Sequence, residues 1–92
     1  MFSWDKEKNT LLKESRGIGF EEIVEAIANQ KLLDVYDHPN EERYPNQKIY
    51  VVEALEYIYL VPFVKNEDGT IFLKTIIPSR KARKIYKGDG DV

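Results

Sequence analysis

Among its 92 residues the chain has no cysteine, so disulfides and thiolate chemistry are closed to it. It has a single histidine, His38. Asp37, His38 and Glu41 offer ligand types, but they match no zinc or calcium spacing, so no metal is expected. There is no glycine-rich phosphate loop, no zinc-finger pattern, no nucleophilic serine motif and no internal repeat, and no cofactor is expected. No apolar run approaches the roughly 20 residues of a membrane helix. The longest is broken by tyrosines and Pro62. The opening MFSWDKEKNT lacks the apolar core of a signal peptide. A cytoplasmic location without membrane association is the expectation.

What is present is globular in kind: 42% hydrophobic, 12% aromatic and 33% charged residues. Disorder is a poor reading of that balance. The length suits one domain with one core, here placed at residues 1–88, with 89–92 as a frayed tail. The formal charge is only -2, but its distribution is uneven. Residues 21–45 hold seven acids and two bases, whereas residues 48–87 hold eight bases and four acids. A basic face can focus a polyanion even when the net charge is negative.

The pattern predicts an α+β fold. FSWD reads as a short edge strand or lead-in. Asp5 can cap a helix through KEKNTLLKES, which Arg16-Gly17 should end. A second helix runs from Phe20 to about Asn29, entered through an Ile18/Ile23 staple around Gly19. Strands follow in LLDVY, IYVVE, EYIYLVPFV and IFLKTII, with a polar loop over 37–48 and a hairpin at Asp68-Gly69. Pro62 marks a bulge or an edge. Pro78 stops the last strand, and Ser79 can cap a short basic helix ending near Gly88. The expected layout is two N-terminal helices packed on an antiparallel sheet, then that helix.

The strongest functional feature is the run from Lys74 to Lys87. It carries Lys74, Arg80, Lys81, Arg83, Lys84 and Lys87 and no acid. On a helix Arg80, Arg83, Lys84 and Lys87 share one face, while Ala82, Ile85 and Tyr86 lean toward the sheet. The cluster is either a solvated face or a phosphate-binding site. The arginine fork and the lysine point charge both suit phosphate oxygens. Composition does not choose RNA over DNA. His38 lies in YDHPNEERY, where an imidazole suits acid–base work. In the same stretch Arg43 either closes a salt-bridged loop with Glu41 and Glu42 or positions a phosphate. Among Tyr44, Tyr50, Tyr57, Tyr59 and Tyr86 most should pack, and one or two could stack on the bases of a single strand.

Three segments carry a family resemblance. FSWDKEKNTLLKESRGIGFEEIVEAI resembles the opening of the BrnT-like toxins of bacterial type II toxin–antitoxin systems. NEERY resembles their acidic-arginine loop, and IIPSRKA their strand-end arginine followed by a basic helix. The chain departs from the pattern at Pro78-Ser79, where the family has Ser-Ala, at Ser15-Arg16, which replaces a histidine, and at Gly19, which replaces a serine. The resemblance implies a RelE-like fold and a metal-independent endoribonuclease, for which the expected reaction is attack by the substrate's own 2′-hydroxyl. It also implies a cognate antitoxin, often of the ribbon-helix-helix type, through which alone operator DNA would be bound. The loop arginine matches Arg43, the strand-end arginine Arg80 and the basic residue after it Lys81. The loop acid falls on Glu41 or Glu42, each a candidate general base beside His38. RNA-binding roles would fall to Lys81, Arg83, Lys84, Lys87 and Lys74. A non-catalytic module using the same basic face is the alternative.

Overall fold

A computed structural model describes residues 1–87, with only the backbone of Lys87. The expected frayed tail at 89–92, the helix end at Gly88 and the Lys87 side chain lie outside the described residues. A short strand, β1 (Phe2–Trp4), leads into α1 (Lys6–Arg16). Asp5 begins that helix as its spacing predicts: its Oδ1 accepts from the Glu7 and Lys8 N–H groups at 2.8 and 3.1 Å. Gly17 ends it at φ 69°, a left-handed conformation that glycine adopts without Cβ strain.

The next helix, α2 (Phe20–Ala28), starts three residues after Gly17. Ile18 and Ile23 are both buried, as the staple requires. Glu22 folds back to accept the Gly19 N–H at 2.7 Å. Asn9 of α1 locks the two helices together. Its Oδ1 accepts the Phe20 N–H at 2.7 Å, and its Nδ2 donates to both oxygens of Glu21. That packing explains Gly19. A Cβ there would stand 2.9 Å from Asn9 Oδ1 and 2.5 Å from Lys13 Cε.

Five further strands follow: β2 (Leu32–Asp37), β3 (Gln47–Ala54), β4 (Tyr57–Lys65), β5 (Ile71–Leu73) and β6 (Ile77–Pro78), and then α3 (Arg80–Lys87). The sheet order is β1-β5-β4-β3-β2, with β6 paired to β4. The sheet is mixed, not all antiparallel as the sequence pattern predicts. β1 runs parallel to β5, Phe2 opposite Ile71 and Trp4 opposite Leu73, because the two helices carry the chain back before it re-enters. The protein is thus a small α+β domain with two helices on a mixed sheet and a short C-terminal helix.

The hairpin between β3 and β4 turns on Leu55 and Glu56, both at positive φ, so Ala54 pairs with Tyr57. IFLKTII is not one strand. It leaves β4 after Leu73 and rejoins it at Ile77. Pro62 lies opposite that break. Its carbonyl accepts the Lys74 N–H at 2.8 Å, so its missing N–H faces the interrupted ladder.

Strand alternation divides the sheet into two faces. On the face under α1 and α2, Leu12, Ile18, Phe20 and Ile23 pack with Tyr50, Val52, Tyr59, Val61, Phe63 and Leu73. On the other, Val51, Ile58 and Ala82 of α3 form a second, smaller cluster with Leu60 against it. No helix among the described residues is long and apolar enough to cross a membrane.

Candidate functional site

The basic helix α3 begins where the sequence places it. Ser79 donates its N–H to Ile58 O at 3.0 Å, which ties the chain to β4. Its Oγ accepts the Ala82 N–H at 3.1 Å. Arg80, Lys81, Arg83 and Lys84 are exposed. The ion pairs of the described residues join Lys13 to Glu21 and Lys48 to Asp37, so none of those four cations is neutralised among them. Arg83 instead lies 5.6 Å from the Tyr57 ring centroid. The first turn of α3 contains no acid. Two cations, Arg80 and Lys81, stand at the positive end of the helix dipole, where they oppose helix stability and attract an anion.

Among the described side chains of this helix, Ala82 is the buried one. The expectation that Ile85 also leans onto the sheet is not met. Ile85 is 66% exposed, although it borders the groove beside the helix. Between α3 and the sheet runs a groove of about 240 Å³, lined by Tyr36, Val51, Leu60, Lys81, Ile85 and Tyr86 among others. Tyr86 closes one end by donating its hydroxyl to Asp34 Oδ2 at 2.7 Å. Asp34 Oδ1 accepts the N–H of Val35. The Tyr86 bond, chiefly, and that N–H hold the Asp34 carboxyl below its usual range. In return, the bond to Asp34 raises Tyr86 above the ordinary tyrosine value.

The other candidate residues sit on the loop between β2 and β3. Asn40 organises it. Its N–H donates to His38 Nδ1 at 3.0 Å, its Oδ1 accepts the Arg43 N–H at 3.2 Å, and its carbonyl accepts the Tyr44 N–H at 3.0 Å. With Nδ1 used as an acceptor, the neutral imidazole carries its proton on Nε2 and offers no free base there. The His38 ring packs 4.4 Å from that of Tyr44, and the Arg43 guanidinium lies 5.7 Å from the same ring. Arg43 forms no ion pair with Glu41 or Glu42 among the described residues, so the salt-bridged loop is not found. Glu41 lines a polar cleft of about 350 Å³ with Asp37 and Lys48. Glu42 is exposed.

The structure does not gather Arg43 and Arg80 around one point. The Arg43 loop leaves from the Gln47–Val64 row of the sheet, and Arg80 follows Ser79 at Ile58. Six residues of β4 separate those rows, about 20 Å along the strand. Neither arginine lines the two clefts described above. Lys74 stands apart from both, exposed in the break after β5, 5.9 Å from the Phe72 ring. Among the described residues no cluster of three histidine, aspartate or glutamate side chains is placed to hold a metal ion.

Sequence reasoning missed Tyr36 and Asp34. Period-two spacing could have found them, since residues 34, 36 and 38 share one face of β2, but the register that sets this face beside α3 is not written locally. Of the other tyrosines, Tyr50 and Tyr59 are buried and Tyr57 is half-buried. No family model, curated protein or solved structure gives a significant match to this chain.

Proposed function

We propose that this protein is the toxin of a bacterial type II toxin–antitoxin pair, a RelE-like endoribonuclease that cuts RNA without a metal ion. One observation carries the reading: the first turn of α3 presents Arg80 and Lys81, unpaired among the described residues and exposed, where helix stability would favour acids. Such a turn is suited to a phosphate. Two helices on a mixed sheet with a basic C-terminal helix agree with a RelE-like architecture, and the FSWDKEKN, NEERY and IIPSRKA segments supply the family resemblance.

In the proposed reaction a ribose 2′-hydroxyl attacks the adjacent phosphorus. The P–O5′ bond breaks, leaving a 2′,3′-cyclic phosphate and a 5′-hydroxyl. The nucleophile belongs to the substrate, so the protein's work is to orient the backbone and stabilise charge on the phosphate oxygens. Arg80 and Lys81 take that role. With its loop apart from Arg80, Arg43 would hold a different phosphate of the same strand. Glu41, Glu42 and His38 travel with Arg43, so the general base for a phosphate held at α3 is left unassigned. A cognate antitoxin would cover the basic face and bring the pair to operator DNA.

The same separation favours a second reading, a non-catalytic module that grips nucleic acid through α3. Both are tested at once by incubating the purified protein with single-stranded RNA in a chelator. Cutting that R80A slows about tenfold or more, as loss of a charge-assisted hydrogen bond implies, supports the nuclease. R80A should melt no lower than the parent chain. Salt-sensitive binding without cutting selects the binding module. Neither binding nor cutting defeats both.

A further inference from the structure

Three exposed aromatic residues are left unexplained by packing. Tyr36, Tyr44 and Tyr86 are 40, 37 and 38% exposed, and these are the aromatic rings among the large exposed side chains of the described residues. They are not scattered. Residues 34, 36 and 38 lie opposite Val51, Ile49 and Gln47 on β3, so they point to the face that carries α3. Tyr86 is hydrogen-bonded to Asp34, Tyr36 follows it, and Tyr44 packs on His38. The three stations are spaced two residues apart along an edge strand, about 7 Å each. That step is close to the nucleotide repeat of an extended single strand.

Positive charge accompanies this row. Lys81 lines the same groove as Tyr36 and Tyr86. Arg43 stands at the far end, over Tyr44. The groove's volume of about 240 Å³ falls below the roughly 300–1,000 Å³ of sites for drug-sized ligands and suits one ring system at a time. Asp34 is the acid within the row, and both its oxygens are already engaged.

We infer that β2 and α3 form a track for extended single-stranded RNA, whose successive bases stack at Tyr86, Tyr36 and the Tyr44–His38 pair while Lys81, in the groove with Tyr36 and Tyr86, and Arg43, over Tyr44, hold its backbone. This rests on the RNA reading above and adds to it a length requirement and a set of stacking residues. Every base has a π-face, so the track tolerates sequence. A strand too short to reach from Lys81 to Arg43 engages one end and loses the second anchor.

The test uses oligouridines with 2′-O-methyl groups, which cannot be cut, of about three and about eight nucleotides. Anisotropy should show the longer strand binding at least tenfold more tightly. Y36A and Y44A should each weaken the longer strand about tenfold, Y36F and Y44F should restore it, and R43A should remove most of the length advantage while leaving the short strand unaffected. Thermal melts confirm that each variant is folded. If K81A weakens binding while Y36A and Y44A bind as the parent chain does, the track is wrong and the RNA reading survives. If no RNA of either length binds, the RNA reading itself falls, and a protein segment becomes the groove's occupant.

Discussion

On one side of β3 and β4, Tyr50, Val52, Val61 and Phe63 are sealed beneath α1 and α2, with Phe20 and Ile23 fully buried above them. On the other, Val51, Ile58 and Leu60 have Ala82 over them and an open groove beside it. The first face spends its side chains on packing. The second keeps only enough contact to hold a helix and leaves tyrosines and cations exposed. In so small a domain one face must supply most of the stability, and this frees the other to present chemistry.

Phe20 offers the largest test of that division. It is fully buried, and its ring stacks on Trp4 with centroids 5.6 Å apart. F20A should cost about 3–5 kcal/mol by lost burial and the cavity left behind. Chemical denaturation would measure it. A cost below about 1 kcal/mol would mean that the helical face is not the principal core.

Ala82 tests the other face. A82D places an unpaired carboxylate against Val51 and Ile58. Its cost has a ceiling, because α3 can undock instead of unfolding the domain. The docking rests on one buried methyl, the Ser79 cap and the Tyr86–Asp34 bond. Those contacts are few and the Tyr86 bond is solvent-exposed, so the helix is held weakly. Hydrogen exchange should therefore quicken in α3 while β3 and β4 stay protected. Global unfolding by A82D would show that the two faces are not separable.

Much of this division is readable along the chain, since it rests on local chemistry. Asp5, Gly17 and Ser79 mark helix ends because a side-chain oxygen or an absent Cβ acts on its own neighbours. Pro62 announces a ladder defect because its missing donor is intrinsic. What is not readable depends on distant partners. Nothing in FSW says that it pairs parallel to IFL, and no periodicity says that Tyr86 reaches Asp34, 52 residues away. The convergence of Arg43 and Arg80 fails for the same reason. Two arginines beside plausible motifs look alike whether a strand's length or a single phosphate lies between them.

The smallest expected effect probes the tether that keeps α3 on its sparse face. Asp34 is held below its usual range, chiefly by the Tyr86 hydroxyl, and Tyr86 is raised, chiefly by its bond to Asp34. The signs fix a window. Asp34 contributes fully above its ordinary carboxylate value and loses that contribution as pH falls through its lowered one. Tyr86 contributes below the ordinary tyrosine value and loses it as pH rises through its raised one. Burial raises Tyr50 and Tyr59 too, so total tyrosinate absorbance does not isolate Tyr86. The difference titration between the parent chain and Y86F does, and in D34N that difference should move down toward the ordinary tyrosine value. An unmoved titration would mean that the bond does not form in solution. If it does move, alkaline pH should loosen α3 before it touches the packing around Phe20, and the two faces would then be resolved by pH alone.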